Sequence, residues 1–406
     1  MLRPMDSSSF GQPSTDPAVP RLQRSVVFAA MAATVSTVYP GFLIAALSVQ
    51  VSAEFEVAEA TYGWGLGSFF LAATVASAPA GRLAQRIGAR RQITGALVIS
   101  ALAQLTLATS ARSFSAVLAC LVIAGFMNAA NQTAVNLAIS SARLPRLGLA
   151  VSLKQSAMPA ASLLSGLAVP VFALTVGWRW AFGVGSAMPV LVALLVWRNL
   201  DGPLDPVTTR HQTPSTATRT LVISGIGFGL LAFSAGGLAA WVVASGVDAG
   251  LSEGFAGVML SAGAASGIVL RLIGGSVMDE MGPRPMSVAA VTAIIGSVGM
   301  ALLGVRVEAI HVVATLVAFG GGWIWPAFTN FAVVRRNPGN AAAATGVTQT
   351  GVYIGVFTAP LITGALIEWK GYGWMWLLVA AMAVMGAAVT ASQSRHYDRQ
   401  PLGEHE

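Results

Sequence analysis

The sequence predicts an all-α membrane protein in which twelve transmembrane helices form two pseudo-symmetric six-helix halves. Three observations predict it. Of the 406 residues, 55% are hydrophobic and only 10% charged, with a mean hydropathy of +0.71, whereas soluble domains carry about 25% charged residues. Apolar stretches long enough to cross about 30 Å of hydrocarbon recur along the whole chain. Several residues also recur at one fixed offset, as an internal duplication requires.

Taken in order, residues 1–24 (MLRPMDSSSFGQPSTDPAVPRLQR) are rich in Ser, Pro and charge and lack the apolar core of a cleaved signal, so they read as a disordered cytoplasmic tail. The first half, 25–198, holds apolar runs at 26–51, 60–81, 93–111, 114–139, 148–175 and 179–197. The stretch 199–219 has the Pro, Thr and charge content of a cytoplasmic linker. The second half, 220–393, repeats the plan with runs at 220–246, 254–278, 287–305, 310–333, 342–366 and 372–392, and 394–406 forms a second cytoplasmic tail. Each run is rich in Gly, Ala and Ser, which let membrane helices approach closely.

Lysine and arginine orient the chain, because loops rich in them stay in the cytoplasm. Of the 23 basic residues, Arg112, Arg179, Arg306 and Lys370 fall on one side with Glu54, Glu56 and Glu59, and Lys154 and Arg271 lie within spans. The remaining seventeen fall on the other side, which places both termini in the cytoplasm of a cell bounded by this plasma (inner) membrane. The net charge of +7 therefore reflects topology and lipid contact, not a nucleic-acid surface. The single cysteine, Cys120, lies in an apolar run and excludes an internal disulfide.

The offset is 194 residues. It pairs Gly81 with Gly275, Gly88 with Gly282, Asn136 with Asn330, Gln155 with Gln349, Gly177 with Gly371, Trp180 with Trp374 and Met188 with Met382. A parallel six-helix repeat is the plan on which secondary transporters place a site between halves near the midplane. The loop GRLAQRIGARR resembles the signature of the major facilitator superfamily, G-x-x-x-D-R-x-G-R-R, with Gly81, Arg86, Gly88, Arg90 and Arg91 matching and Gln85 in place of the aspartate. The second copy, GSVMDEMGPRP, keeps Asp279 between Gly275 and Gly282 and has Glu280 where the basic residue stands. The resemblance implies a gating role for Gly81, Gln85, Arg86, Gly88, Arg90, Gly275, Asp279 and Gly282. It also implies that Asp279 meets the start of span five by charge-to-dipole attraction, while Gln85 offers span eleven a neutral hydrogen bond. It implies a monomer.

Two cations need explaining, because Lys or Arg at bilayer depth costs about 2.5–3.5 kcal/mol on insertion scales. At 1.5 Å per residue, Lys154 lies about 10 Å and Arg271 about 12 Å inside the cytoplasmic ends of spans five and eight. The R-x-x-x-G-x-x-x-D run from Arg271 to Asp279 is similar to that of monocarboxylate transporters and oxalate/formate exchangers. LKQSAMP resembles the K-Q-[ST]-x-x-P segment of cyanate-permease-like bacterial members. These resemblances imply an anionic substrate held by Lys154 and Arg271. Snorkelling to the headgroups, and for Arg271 pairing with Asp279 or Glu280, are the structural alternatives.

Other cavity candidates are polar or aromatic. Asn128, Asn131, Gln132 and Asn136 follow an i, i+3, i+4, i+8 stripe on one face of span four. Asn128 and Asn131 are expected to line the cavity and Asn136 to pack. Trp323 and Trp325 precede Pro326, which frees a backbone carbonyl and can kink span ten. Tyr39, Gln349 and Tyr353 complete the candidate substrate-binding set.

All sixteen acidic residues fall in tails, loops or span ends, so no carboxylate is placed mid-helix to relay a proton. No phosphate loop, H-E-x-x-H or cysteine pair occurs, so no enzyme activity, cofactor or metal is expected. The expected function is secondary active or facilitative transport of a small, carboxylate-like organic anion by alternating access. An exporter of amphipathic drugs or metabolites is the alternative, and a non-transporting sensor or scaffold is the alternative of another class.

Overall fold

A computed structural model describes residues 18–141, 152–199, 216–280, 284–337 and 341–398, and among them no strand occurs. Without water to satisfy backbone N–H and C=O groups in hydrocarbon, a chain this apolar closes its hydrogen bonds within helices. In the first half these are α1 (Ala18–Ala46), α2 (Trp64–Ile87), α3 (Ala89–Ser110), α4 (Phe114–Ser141), α5 (Ser152–Ala173) and α6 (Trp178–Arg198). In the second they are α7 (Thr218–Asp248), α8 (Glu253–Glu280), α9 (Pro285–Leu302), α10 (Glu308–Arg336), α11 (Ala341–Lys370) and α12 (Tyr372–Ser392). Eleven are long and apolar enough to cross a membrane. The exception, α2, spans about 36 Å with 24 residues but ends in the polar sequence GRLAQRI.

The expected spans and the helices coincide except at their ends. The first run breaks at Leu47, after which two short helices, Ser48–Phe55 and Glu59–Tyr62, carry the chain to α2. That delays α2 to Trp64, and it continues past the expected 81 to Ile87, where Gly88 caps it at φ 83°. Most of the linker and of both tails, together with Gly282, lies outside the described residues.

Within the first half, α4 packs on α1, α2 and α3, and α1 on α5. Within the second, α7 packs on α11 and α12, and α9 on α10 and α12. The halves meet along α5 with α8, along α2 with α11, and between α1 and α7. The repeat is visible in backbone geometry: Gly177 and Gly371, 194 positions apart, start α6 and α12 at φ 101° and 83°, a region that side chains disfavour. Closest approach falls on glycine as well. A Cβ on Gly351 or Gly355 would lie 2.0 Å from the carbonyl oxygen of Gly225 or Gly229, so two glycine pairs at i, i+4 seat α11 on α7.

The acidic end is sealed between the halves. A Cβ on Gly63 would lie 2.4 Å from the Pro360 carbonyl oxygen, and one on Gly364 would lie 2.6 Å from that of Glu59. Gln50 donates to Glu253 Oε2 at 2.6 Å, and the Tyr62 and Trp241 rings stand 6.3 Å apart. At the arginine-rich end, a Cβ on Gly88 or Gly346 would meet nothing within 4 Å.

Outside the spans, Glu54 organises the first half's acidic end. Its Oε2 accepts from Trp178 Nε1 and from Arg179 Nη1, both at 2.6 Å, and Arg179 also donates to the Ala111 carbonyl at 2.9 Å. Burial opposes ionisation of Glu54, but the Arg179 and Trp178 hydrogen bonds and the charges of Arg179 and Arg112 outweigh it, so the carboxyl titrates below its ordinary value. A depressed folded pKa gives stability that is fully present above the unfolded value of about 4.3 and is lost as pH falls through the folded value. Melting of the purified protein should therefore drop as pH falls below about 4.3, and Glu54→Gln should flatten that drop. An unchanged acid profile in the variant would remove Glu54 from the account.

Candidate functional site

Two cations, three asparagines and a cluster of aromatic rings converge on the inner helices α1, α4, α5, α8 and α10. Arg271, on α8, is 3% exposed. Its Nη1 donates to the Gln155 carbonyl on α5 and its Nη2 to the Trp323 carbonyl on α10, and its Nε has no partner. Lys154 immediately precedes Gln155, so the Arg271 guanidinium reaches the α5 backbone one residue from Lys154. The Lys154 ammonium donates to Asn136 Oδ1 on α4. Among the described residues the ion pairs are Arg179 with Glu54 and Arg306 with Asp248, and neither involves these two cations. The side chains of Asp279 and Glu280 lie outside the described residues.

The asparagine stripe divides differently from expectation. Asn128 and Asn131 are buried against α1, where Asn131 donates to Thr37 Oγ1 at 3.1 Å and Thr37 donates weakly to Asn128 Oδ1 at 3.4 Å. Asn136, expected to pack, is exposed and takes Lys154 instead. The neighbouring positions Ala134, Val135 and Ala138 stay buried with Ala29, Ala30 and Ala33 of α1, so Asn136 lies on the side of α4 that turns away from that packing.

Trp323 bridges the halves. Its Nε1 donates to the Ala235 carbonyl at 3.1 Å, and its ring meets Phe42 of α1 at 5.7 Å and Phe319 at 4.9 Å. Trp325 faces Phe228 at 6.1 Å with its indole N–H unpartnered. Tyr353 of α11 is within hydrogen-bonding reach of Ser77 on α2 and of Gln349, so these two candidates share the α2–α11 contact. Tyr39 stands apart from the rest: a Cβ on Gly185 of α6 would meet its ring and, at 3.2 Å, Gln104 Oε1 of α3. It packs inside the first half.

At the junction of α2 and α3, Gln85 and Arg86 in the last turn of α2 and Gly88 between the helices are exposed. Arg90 is tied to α6, its guanidinium donating to the Trp197 carbonyl and lying 4.4 Å from that ring's centroid. Gly81 touches little, since a Cβ there would meet only Thr133 Cγ2 at 3.9 Å, and Gly275 is buried in α8.

Sequence reasoning missed Phe42, Thr37 and Ser77. The offset held a signal for the last, because Ser77 stands 194 positions before Arg271. Phe42 and Thr37 carried no signal, as each is an ordinary residue of an apolar helix.

Comparison with known proteins agrees with this architecture. The Major Facilitator Superfamily profile matches residues 25–355. The chain belongs to this superfamily. Among curated proteins, an uncharacterized transporter, YycB, of Bacillus subtilis (strain 168) is 27% identical over 365 residues, covering 83% of this chain and 86% of that protein. A 3-(3-hydroxy-phenyl)propionate transporter of Escherichia coli (strain K12) is 27% identical over 382 residues, covering 87% and 90%. A crystal structure of a bacterial homolog of the human lysosomal transporter Spinster, in an inward-facing and occupied conformation, superposes with a TM-score of 0.69 at 16% identity, over 96% of this chain and all of that one. That likeness establishes the fold. This member of the superfamily is a multi-pass membrane transporter.

Proposed function

We propose that this transporter carries a small organic anion, a carboxylate on an apolar or aromatic body, by alternating access of its two halves. The observation that carries the reading is Lys154, an ammonium at the entrance to α5 whose partner among the described residues is the neutral Asn136. An ammonium has three donors, and a carboxylate arriving there would take a charge-assisted hydrogen bond. Arg271 adds a second positive charge close by. The Phe42, Trp323 and Phe319 rings, in edge and tilted contact and buried where the halves meet, would become an apolar wall for the substrate's body as the halves part. A relative named for transport of 3-(3-hydroxy-phenyl)propionate, an aryl ring joined to a carboxylate, supports the same class.

Asn128, Asn131, Trp325, Gln349 and Tyr353 form the surrounding shell, with Gln349 and Tyr353 at the α2–α11 contact, and Tyr39 braces α1 from behind it, inside the first half. The glycine-bounded loops, with Gly81, Gln85, Arg86, Gly88 and Arg90 in one copy and Gly275, Asp279 and Gly282 in the other, form the cytoplasmic gate. In this reading the arginine-rich end and both termini face the cytoplasm, the membrane is the plasma membrane, the protein works as a monomer, and no chemical conversion accompanies transport.

The test is flux in proteoliposomes. Radiolabelled 3-phenylpropionate should enter saturably and be competed by other aryl-alkyl carboxylates, while cationic dyes should not move. Saturable dye flux without carboxylate flux would overturn the reading.

A further inference from the structure

We infer that Arg271 is a positioning residue that staples α5 to α10 through the backbone and pins the α5–α8 contact, and that it is not the group that binds the anion. This assignment refines the carrier reading, yet its structural part stands without it.

Both carbonyls held by Arg271 lack a helical donor because of proline. In a continuous helix the Gln155 carbonyl would accept from the N–H of residue 159, but Pro159 has none. The helix breaks beside it, with Ser156 forming a turn whose N–H reaches back to Leu153 as well as Ser152. On α10 the Trp323 carbonyl should accept from Ala327, but Pro326 interrupts the ladder, and the Ala327 N–H bonds instead to Ile324 at 3.2 Å. Each half thus contributes one buried, proline-freed carbonyl, and one guanidinium reaches both. Arginine's planar fork suits this, since its two Nη groups donate in fixed, divergent directions. With one donor of each Nη committed to a carbonyl and the side chain 3% exposed, the Nη1–Nη2 end that would grip a carboxylate is already engaged, and the unpartnered Nε is buried.

The other contact between halves lacks such a device. At the repeat offset, Ser77 replaces Arg271, Gln349 replaces Gln155 and Tyr353 replaces Pro159. There neutral side chains stand together, Tyr353 beside Ser77 and Gln349, and the Ser77 hydroxyl donates to the Ala73 carbonyl of its own helix at 2.6 Å. The pseudo-symmetric contacts are therefore unequal: one is bound through charge to backbone, and at the same place in the other only neutral hydroxyl and amide groups stand together. Along the pinned contact, Ser261 also donates to the Leu163 carbonyl at 2.8 Å, and Gly166 meets Gly257 so closely that a Cβ would lie 2.4 Å from the latter's carbonyl oxygen.

A mutant cycle tests the assignment with two readouts. The first is thermal melting of the full chain in detergent. Arg271→Gln should lower the midpoint, and Pro159→Ala, which gives the Gln155 carbonyl its own helical donor, should recover part of that loss in the double variant; on α10, Pro326→Ala removes the interruption and lets the Ala327 N–H return from Ile324 to the Trp323 carbonyl. The second is uptake of labelled 3-phenylpropionate. Arg271→Gln should cut the maximal rate about tenfold or more and change the half-saturating concentration less than about threefold, and Arg271→Lys should behave like Arg271→Gln because an ammonium cannot bridge the two carbonyls. Recovery by neither proline variant, or an unchanged midpoint in Arg271→Gln, would overturn the staple. So would a tenfold rise in half-saturation that Arg271→Lys repairs, which would return Arg271 to the anion site. If the wild-type protein moves no carboxylate, the carrier reading fails and the melting cycle still decides the staple.

Discussion

Lys154→Gln should lower the transport efficiency for 3-phenylpropionate by about ten- to a hundredfold, mainly through weaker binding. A hydrogen bond to a charged group is worth about 1.5–3 kcal/mol, and each 1.4 kcal/mol is about tenfold. Folding should survive, because Lys154 is only partly buried and its partner Asn136 is exposed, so glutamine leaves no buried acceptor stranded. Lys154→Arg should restore a good part of the activity, since it keeps the charge and adds donors. Uptake measured with proteoliposomes at matched protein content checks this. Normal half-saturation in Lys154→Gln would remove the ammonium from the site and leave a transporter whose anion selectivity has no anchor.

The second large effect is expected in the helix packing. Gly355→Leu should prevent α11 from seating on α7 and lower stability by about 1–3 kcal/mol or more, in the range of overpacked cores. The glycine has no room for a first carbon: its Cβ would lie 2.0 Å from the Gly229 carbonyl oxygen and 2.9 Å from both the Gly229 carbonyl carbon and the Phe233 nitrogen. These are backbone atoms and cannot rotate away. Because α7 packs on both α11 and α12, a shifted α11 disturbs the second half as a whole. The check is melting of the purified variant beside Gly346→Leu, on the same helix, where a Cβ meets nothing within 4 Å. Equal midpoints for the two variants would contradict the close-packing account.

How far the sequence could be read depended on which property each feature rests on. Span number, order and the superfamily were legible because length, hydropathy and the 194-residue offset are properties of the chain alone. Helix ends were less so: nothing in the run before Trp64 announced that Leu47 would interrupt the first span and that two short helices would follow. Lys154 and Arg271 stood out because a cation in an apolar run is expensive, but that expense names no partner. For Arg271 the partners are carbonyls freed by Pro159 and Pro326 on other helices, and only tertiary placement brings them together. The asparagine stripe gave a face and not a neighbour: it marked Asn128 and Asn131 as candidates, but not that Thr37 of α1 is their partner. Tyr39 shows the same limit, since a polar tip on an inner helix does not say which of the surrounding helices it meets.

The seal at the acidic end has a mechanical consequence. It consists of glycine seated on backbone carbonyls, aromatic rings and one amide-to-carboxylate bond, while the two ion pairs near that end, Arg179 with Glu54 and Arg306 with Asp248, each sit within a single half. Among the described residues, separating the bundles there means wetting greasy and peptide surfaces, with no cation pulled from an anion. The effort of unlatching is thus spread over many shallow touches, and no single strong tether has to let go first.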